Sequence, residues 1–241
     1  MPELPEVEAA RRLLARTAVG RRIVTVNVVP DPIVFQGVSP ARVRRALVGR
    51  RVVAAHRHGK HLWLELDGRP WPCFHFGMSG EIEVRGQRRG RLMTEGRRAH
   101  PDVWPPRFLK LHLVLDDGTE VAFRDARRLG RVRLRHDPRG EPPISLLGFD
   151  ALHQLPPLRR LSALLGERAA PVKAVLLDQS FSAGVGNWIA DEVLYQARID
   201  PRRRAHTLTP AEVGRIRRQL QRVITTAGRV GADRDRFPPK W

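Results

Sequence analysis

His136-Asp137-Pro138-Arg139-Gly140-Glu141-Pro142-Pro143 divides the chain into two stretches of different texture. Proline and glycine at this density hold neither a helical nor a strand repeat, so residues 137–157 read as a linker. Before it lie short runs that alternate with period two; beyond it that pattern stops and longer helical periods replace it. The fold class that follows is α+β. Residues 1–136 form a mostly antiparallel β domain of sandwich type with flanking helices, and residues 158–241 form a helical domain.

On the amino-terminal side, Arg22-Ile23-Val24-Thr25-Val26-Asn27-Val28-Val29 alternates and predicts a strand. Further strands are predicted near 51–56, 61–66, 72–76, 80–85, 108–115, 119–124 and 130–135, several separated by glycine or Asp-Asp-Gly turns. A helix is predicted from Pro5 to Val19, and Ser39-Pro40 caps a short one to Val48. On the carboxyl-terminal side Leu158–Leu165, Val172–Asp178, Trp188–Ala197 and Pro210–Ala227 read as helices. Arg85 to Arg107 interrupts the strands with seven arginines against Glu95 and Asp102, either a solvated surface or a phosphate-contacting arm. There is no internal repeat and no low-complexity tract.

The chain of 241 residues carries 44 basic against 25 acidic side chains, a net charge of +19 and an isoelectric point near 11.6. Such a field draws polyanions, so nucleic acid is the expected partner; an acidic protein or an anionic membrane is the other reading. No apolar run approaches the roughly 18 residues of a membrane helix, and no signal peptide opens the chain. Cys73 is the single cysteine, which excludes an intrachain disulfide and a cysteine-based zinc site. A cytoplasmic, bacterial-type nucleic-acid-binding protein fits these features. All but four basic residues are arginine; Lys60, Lys110, Lys173 and Lys240 remain. Lysine can give up its proton and arginine cannot, so each is a candidate for proton transfer or a tight fit.

The amino terminus, Met1-Pro2-Glu3-Leu4-Pro5-Glu6-Val7-Glu8, admits two readings. In one it is only a helix start, with Pro5 in the first turn and acids near the positive end. In the other, removal of Met1 exposes the secondary amine of Pro2, whose pKa of roughly 8 leaves part of it unprotonated at neutral pH. Such an amine can attack a sugar carbon and form an iminium, with Glu3 beside it as proton donor.

Four further strings carry candidate chemistry. Arg57-His58-Gly59-Lys60-His61-Leu62 sets Lys60 at the mouth of a strand. His75-Phe76-Gly77-Met78-Ser79-Gly80 is a tight turn with Met78 at its tip, either a core methionine or a wedge between bases. Phe123-Arg124-Asp125-Ala126-Arg127-Arg128-Leu129-Gly130 is a basic turn: a solvated hairpin, or one in which Arg127 and Leu129 fill the space left by an extruded base. Gly184-Val185-Gly186-Asn187 precedes a helix, either as a packing joint or as exposed N–H groups that bind phosphate.

In this order the strings resemble the formamidopyrimidine-DNA glycosylase/endonuclease VIII family, including its helix–two-turn–helix signature at Gly184-Val185-Gly186-Asn187-Trp188-Ile189-Ala190-Asp191-Glu192, and the resemblance covers residues 2–205. It implies an amino-terminal β-sandwich, a helix–two-turn–helix domain and DNA in the cleft between them. It also implies a bifunctional DNA glycosylase and AP lyase acting on oxidised or ring-opened bases, a monomer, with no cofactor and no metal. Pro2 would be the nucleophile at C1′, Glu3 would handle protons in base loss and ring opening, and Lys60 would contact phosphate and assist strand cleavage. Met78, Arg127 and Leu129 would fill the gap in double-stranded DNA at a damaged base or abasic site. Lys173, Asn187 and Lys110 would grip backbone phosphates.

The chain departs from that family at three points. Leu129 replaces the usual wedge aromatic. The family's frequent four-cysteine finger is absent, and Gly231 to Trp241 is similar to the start of the zincless finger of plant-type members. The segment between the last helix and Phe237 is short, which lowers the expectation of 8-oxoguanine activity. A non-catalytic damaged-DNA binder is the alternative function. An RNA-binding protein is a third, disfavoured because RNA binding has no use for a free proline amine.

Overall fold

The computed structural model describes residues 1–87, 103–239 and 241. Most of the Arg85–Arg107 interruption and Lys240 lie outside the described residues.

Helix α1 (Leu4–Thr17) begins where Pro5 occupies the first turn and the Glu6 carboxylate accepts the Glu3 N–H at 3.0 Å. Strand β1 (Ile23–Val28) follows, then α2 (Pro40–Leu47), whose cap Ser39 accepts the Arg42 N–H. Seven strands come next: β2 (Val52–His58), β3 (His61–Leu66), β4 (Trp71–His75), β5 (Gly80–Val84), β6 (Leu109–Leu115), β7 (Glu120–Asp125) and β8 (Arg131–Arg135). They form two antiparallel four-stranded sheets, ordered β1-β6-β7-β5 and β2-β3-β4-β8. Leu62, Leu64 and Phe74 of one sheet and Leu111, Leu113 and Phe123 of the other share one core with Val7 and Leu14 of α1. The expected sandwich is therefore present, closed on one side by α1.

The stretch expected as a linker carries structure of its own. A 3-10 turn spans Ile144–Leu146, and β9 (Phe149–Asp150) pairs in parallel with β10 (Ser182–Ala183). Two-residue strands are too short to show a repeat; what fixes β9 is the side chain of Asp150, described below. Helices α3 (Leu158–Gly166), α4 (Val172–Leu177), α5 (Asn187–Ala197) and α6 (Pro210–Arg229) complete the second half. Thr209 and Glu212 form a capping box at the start of α6. Leu161, Val172, Ile189, Val193, Ile216 and Leu220 build the core of this half. Leu4 belongs to that core rather than to the sandwich, so the first turn of α1 is the joint between the halves. Among the described residues no helix is long and apolar enough to cross a membrane.

Candidate active site

The site is assembled where the amino terminus meets the start of α5. The Leu4 N–H donates to the Gly184 carbonyl at 3.1 Å. The Glu3 carboxylate accepts the backbone N–H groups of Trp188 at 3.0 Å and Ile189 at 3.3 Å. These contacts explain both glycines. A Cβ on Gly186 would fall 2.2 Å from Glu3 Cδ, and one on Gly184, whose φ is +102°, would fall 2.5 Å from Leu4 Cδ1. The N–H groups at the start of α5 that were expected to face phosphate are thus partly occupied by Glu3. Asn187, first residue of α5, stays exposed. Gln179 braces the glycine turn, donating to the Val185 carbonyl and accepting the Gly184 N–H.

Lys60 arrives from the turn between β2 and β3. Gly59 has φ +55°, and a Cβ there would lie 2.8 Å from Ala183 Cβ, so only glycine lets this turn close on β10. Its N–H donates to Asp150 Oδ2 at 2.8 Å. The same carboxylate receives Arg57 in two hydrogen bonds of 2.6 and 3.1 Å, and Arg57 Nε donates to Glu8 at 3.1 Å. All three side chains are buried. Glu8 also receives Arg11 and Arg12, and Arg12 reaches the Gly228 carbonyl at the end of α6. A buried chain of charge therefore ties α1, β2, β9 and α6 together and fixes Lys60 against the amino terminus. Burial would raise the Glu8 pKa, but hydrogen bonds from Arg11 and Arg57 outweigh it and hold the carboxyl at about 2.

Glu3, Glu6 and Lys60 are all buried, and their charges interact. Burial raises the Glu3 pKa, opposed by Lys60 and by the backbone N–H groups at the start of α5. Burial also pushes Glu6 up to about 7, with the Glu3 charge adding to it. Lys60 is lowered by burial, opposed by Glu3 and Glu6. Carboxyls whose pKa values are raised, beside a lysine whose pKa is lowered, can pass protons to and from a reacting group.

Pro2 and Glu6 line a cleft of about 550 Å³ between α1, the start of β5 and the segment that follows α6. Arg12, Arg16, Arg229 and Arg236 supply its positive wall, and Phe76 part of its floor. Pro2 thus sits in the gap between the halves.

The two predicted wedge turns meet. Met78 and Leu129 are 43% and 41% exposed, unusual for such apolar side chains and contrary to a core methionine. The buried Asp125 joins them: its carboxylate accepts Ser79 Oγ at 2.6 Å, and the N–H groups of Arg127 and Gly130 at 3.3 and 2.6 Å. Ser79 Oγ also accepts the Arg127 N–H at 3.0 Å. The backbones touch so closely that a Cβ on Gly77 would lie 2.3 Å from the Leu129 carbonyl carbon. The Arg127 side chain is exposed beside them.

The other two described lysines are held by acids. Lys110 pairs with Asp31 at 2.9 Å, and Asp31 also binds Arg128 of the second wedge turn, so Lys110 braces that turn from below. Lys173 pairs with Asp191 at 2.6 Å on the helical side. The fold brings together Pro2, Glu3 and Lys60 in one group and Met78, Arg127 and Leu129 in another. Lys173 and Asn187 belong to the helical half, on α4 and at the start of α5.

Sequence reading passed over Arg57, Asp150, Glu8, Ser79 and Asp125. Arg57 lies between His56 and His58 and Asp125 between Arg124 and Ala126, so neither stands out from its neighbours, and Asp150 left no signal either. Among the described residues, no three His, Cys, Asp or Glu side chains converge to hold a metal ion.

Comparison with known proteins agrees with this geometry. A family model for the formamidopyrimidine-DNA glycosylase N-terminal domain matches residues 1–132, and one for the formamidopyrimidine-DNA glycosylase H2TH domain matches residues 147–237. Formamidopyrimidine-DNA glycosylase of Arabidopsis thaliana is 41% identical over 244 residues, covering 100% of this chain but only 62% of its own length. That of Paracoccus denitrificans is 37% identical over 235 residues, covering 95% of this chain and 80% of its own. The crystal structure of the MutM (Fpg) protein from Thermus thermophilus is 33% identical with a TM-score of 0.77, covering 98% of this chain and 83% of that one. A Lactococcus lactis Fpg mutant in complex with DNA containing Fapy-dG has a TM-score of 0.80 at 22% identity, covering 99% of this chain and 82% of that one, a likeness of fold.

Proposed function

Since the chain belongs to the formamidopyrimidine-DNA glycosylase family, we propose that it is a bifunctional DNA glycosylase and AP lyase that removes oxidised or ring-opened bases from double-stranded DNA. The observation that carries this reading is Pro2 in the interdomain cleft, next in sequence to the buried Glu3, with the buried Lys60 close enough for its charge to act on Glu3 and Glu6.

Loss of Met1 frees the Pro2 nitrogen. Its lone pair attacks C1′ of the damaged nucleotide, and the base leaves with the electrons of the glycosidic bond and takes a proton passed on by Glu3, which regains the one that the Pro2 nitrogen sheds. Glu3, whose pKa burial raises, protonates the sugar ring oxygen as the C1′–O bond opens, leaving an iminium between Pro2 and C1′. The iminium acidifies the C2′ hydrogens. Removal of one of them, with Lys60 as the proton carrier, expels the 3′ phosphate with the C3′–O electrons and cleaves the strand. Water then hydrolyses the iminium and restores Pro2. Base extrusion costs a few kcal/mol, and Met78, Arg127 and Leu129 offset it by filling the vacated stack. Lys173 and Asn187 hold backbone phosphates from the helical side, while Lys110 acts through its brace on the second wedge turn.

Borohydride reduction on an abasic duplex tests the chemistry. The expected result is a covalent adduct whose peptide map ends at Pro2, with its yield sharply lower in Pro2→Gly. No adduct, or an undiminished one in that variant, overturns the proposal. Intact mass of the processed chain should lack Met1.

A further inference from the structure

The first turn of α5 is held from two sides. Its N-cap is Gly186, which has no side chain to offer the orphan N–H groups of that turn, and the Glu3 carboxylate takes its place from across the joint. The second hold is the ring of Trp188, the second residue of the helix. Its half-buried indole packs on the half-buried ring of Phe237, with centroids 5.8 Å apart and planes inclined by 35°. Phe237 in turn meets Trp241 edge-on, at 5.5 Å and 65°. Both spacings lie where aromatic rings attract one another. Trp188 and Trp241 also pack against the core of the helical half.

The segment that carries Phe237 is tightly built. After α6 the chain reverses through Gly231 and Ala232, both left-handed at φ +68° and +59°. Alanine adopts that conformation at a cost. Ala232 is fully buried and its N–H donates to the Ala227 carbonyl at 2.8 Å, so packing and hydrogen bonding hold it there. A 3-10 turn, Arg234–Arg236, follows, capped by the Asp233 carboxylate, which accepts the Asp235 N–H at 3.2 Å. Val230, Gly231, Asp233 and Arg236 line the cleft with Pro2 and Glu6, and the next residue, Phe237, packs on Trp188.

This contact is a lever on Glu3. One residue, Trp188, carries both the ring that Phe237 meets and the N–H that Glu3 accepts at 3.0 Å. The indole Nε1 of Trp188 is buried and has no hydrogen-bond partner among the described residues. A buried donor left unpaired costs stability, so what the indole contributes at this place is the packing of its ring. A shift of the first turn of α5 lengthens the bond to Glu3. The carboxylate then moves, and its proton affinity changes, because that N–H opposes the effect of burial on its pKa.

We propose that Phe237 is a positioning residue for Glu3: through the ring of Trp188 it holds the backbone N–H that orients the carboxylate beside Pro2. The inference deepens the glycosylase reading and rests on it.

Single-turnover excision of a ring-opened guanine from a duplex, followed across a pH series, tests it. In Phe237→Ala the rate at saturating protein should fall about tenfold, since misplacing a reacting group by about 1 Å can cost about 100-fold. Affinity for a duplex carrying an abasic analogue should stay at the wild-type level. The high-pH limb of the profile, where Glu3 in the proposed mechanism gives up its proton, should move to higher pH, because the N–H that favours the carboxylate is loosened. Phe237→Tyr, which keeps the ring, should restore both rate and profile. A folded Phe237→Ala variant with the wild-type rate overturns the proposal. So does a rate loss with an unmoved profile, which would give Phe237 a part in the fold alone. Weaker DNA affinity with the saturated rate intact would assign the segment to DNA binding and equally refute the lever. If Phe237→Ala fails to fold, Phe237→Leu, which keeps apolar volume but no ring, is held to the same criteria. A wild-type chain that neither excises the lesion nor forms a borohydride adduct would instead sink the glycosylase reading.

Discussion

Glu3 and Trp188 lie 185 positions apart, yet the carboxylate of one accepts the backbone N–H of the other at 3.0 Å. A side chain beside the proposed nucleophile is thus also the cap of a helix in the other half of the molecule. Closure of the two halves and placement of the acid are one event.

Gly186→Ala tests that coupling. The added methyl would meet Glu3 Cδ at 2.2 Å, and Glu3 has no room to retreat because it is buried. The overpacking should cost about 1–3 kcal/mol of unfolding free energy in urea. Displacement of the acid by about 1 Å should slow base excision about 100-fold. Borohydride trapping on a pre-formed abasic site should fall much less, since no base has to leave. Equal losses in both assays would show that Glu3 has no separate part in base removal.

A second prediction concerns Glu6. Its folded-state pKa of about 7 lies above the ordinary 4.5. The folded protein therefore binds more protons than the unfolded chain between about pH 4.5 and 7, and stability falls as pH rises through that window. Glu6→Gln keeps an acceptor for the Glu3 N–H but cannot ionise. The variant should gain up to about 3 kcal/mol relative to wild type at pH 7.5 and nothing at pH 4. Urea unfolding at the two pH values reads the difference; a gain independent of pH would remove Glu6 as its source.

These two cases mark where sequence stops being informative. The alternation of Arg22 to Val29 and the Ser39-Pro40 cap located β1 and α2, because each signal is complete within one turn or strand. The identity of the atom that Glu3 touches is not local, and nothing near residue 3 points to residue 188. The same holds for Arg57, whose partner Asp150 lies 93 positions away on a strand of two residues. The lysines show both sides. Their scarcity singled them out, and the three that are described each face carboxylates. Which ones are spent on structure could be learned only from the fold, where Lys110 is bound to Asp31 while Lys60 lies buried within the electrostatic reach of Glu3 and Glu6. The glycines of residues 184–186 were legible as special, but the cause was a close approach by Leu4 and Glu3 rather than an open phosphate cradle.

Removing Asp150 should be costly. Asp150→Asn leaves the Arg57 guanidinium, itself buried, facing a neutral amide and Glu8 alone. Breaking one side of a buried pair costs about 3–5 kcal/mol. Hydrogen bonds from Arg57 keep the Asp150 pKa low against the opposing effect of burial, so its contribution is present above the ordinary aspartate pKa and lost as pH falls through the folded value. The deficit of the variant should accordingly shrink below about pH 4. Arg57→Met/Asp150→Leu, which removes both charges, should recover part of the loss in a double-mutant cycle. A strictly additive cycle would mean that the two side chains do not act as a pair.

Ser79 offers the sharpest separation of wedge from chemistry. Its hydroxyl donates to Asp125 and accepts the Arg127 N–H, so one oxygen holds the Met78 turn to the Leu129 turn. In Ser79→Ala the Arg127 N–H keeps only its 3.3 Å bond to Asp125, and Met78 loses its tether to the turn carrying Leu129. The stability cost should be small, about 1 kcal/mol. Excision from an intact duplex should slow about tenfold, because extruding a paired base consumes a few kcal/mol that the paired wedges supply. Trapping on an abasic single strand, where nothing must be unstacked, should stay near the wild-type level. Comparing single-turnover rates on the two substrates decides the matter: a loss of the same size on both would assign Ser79 to the catalytic cleft and leave the wedge without its support.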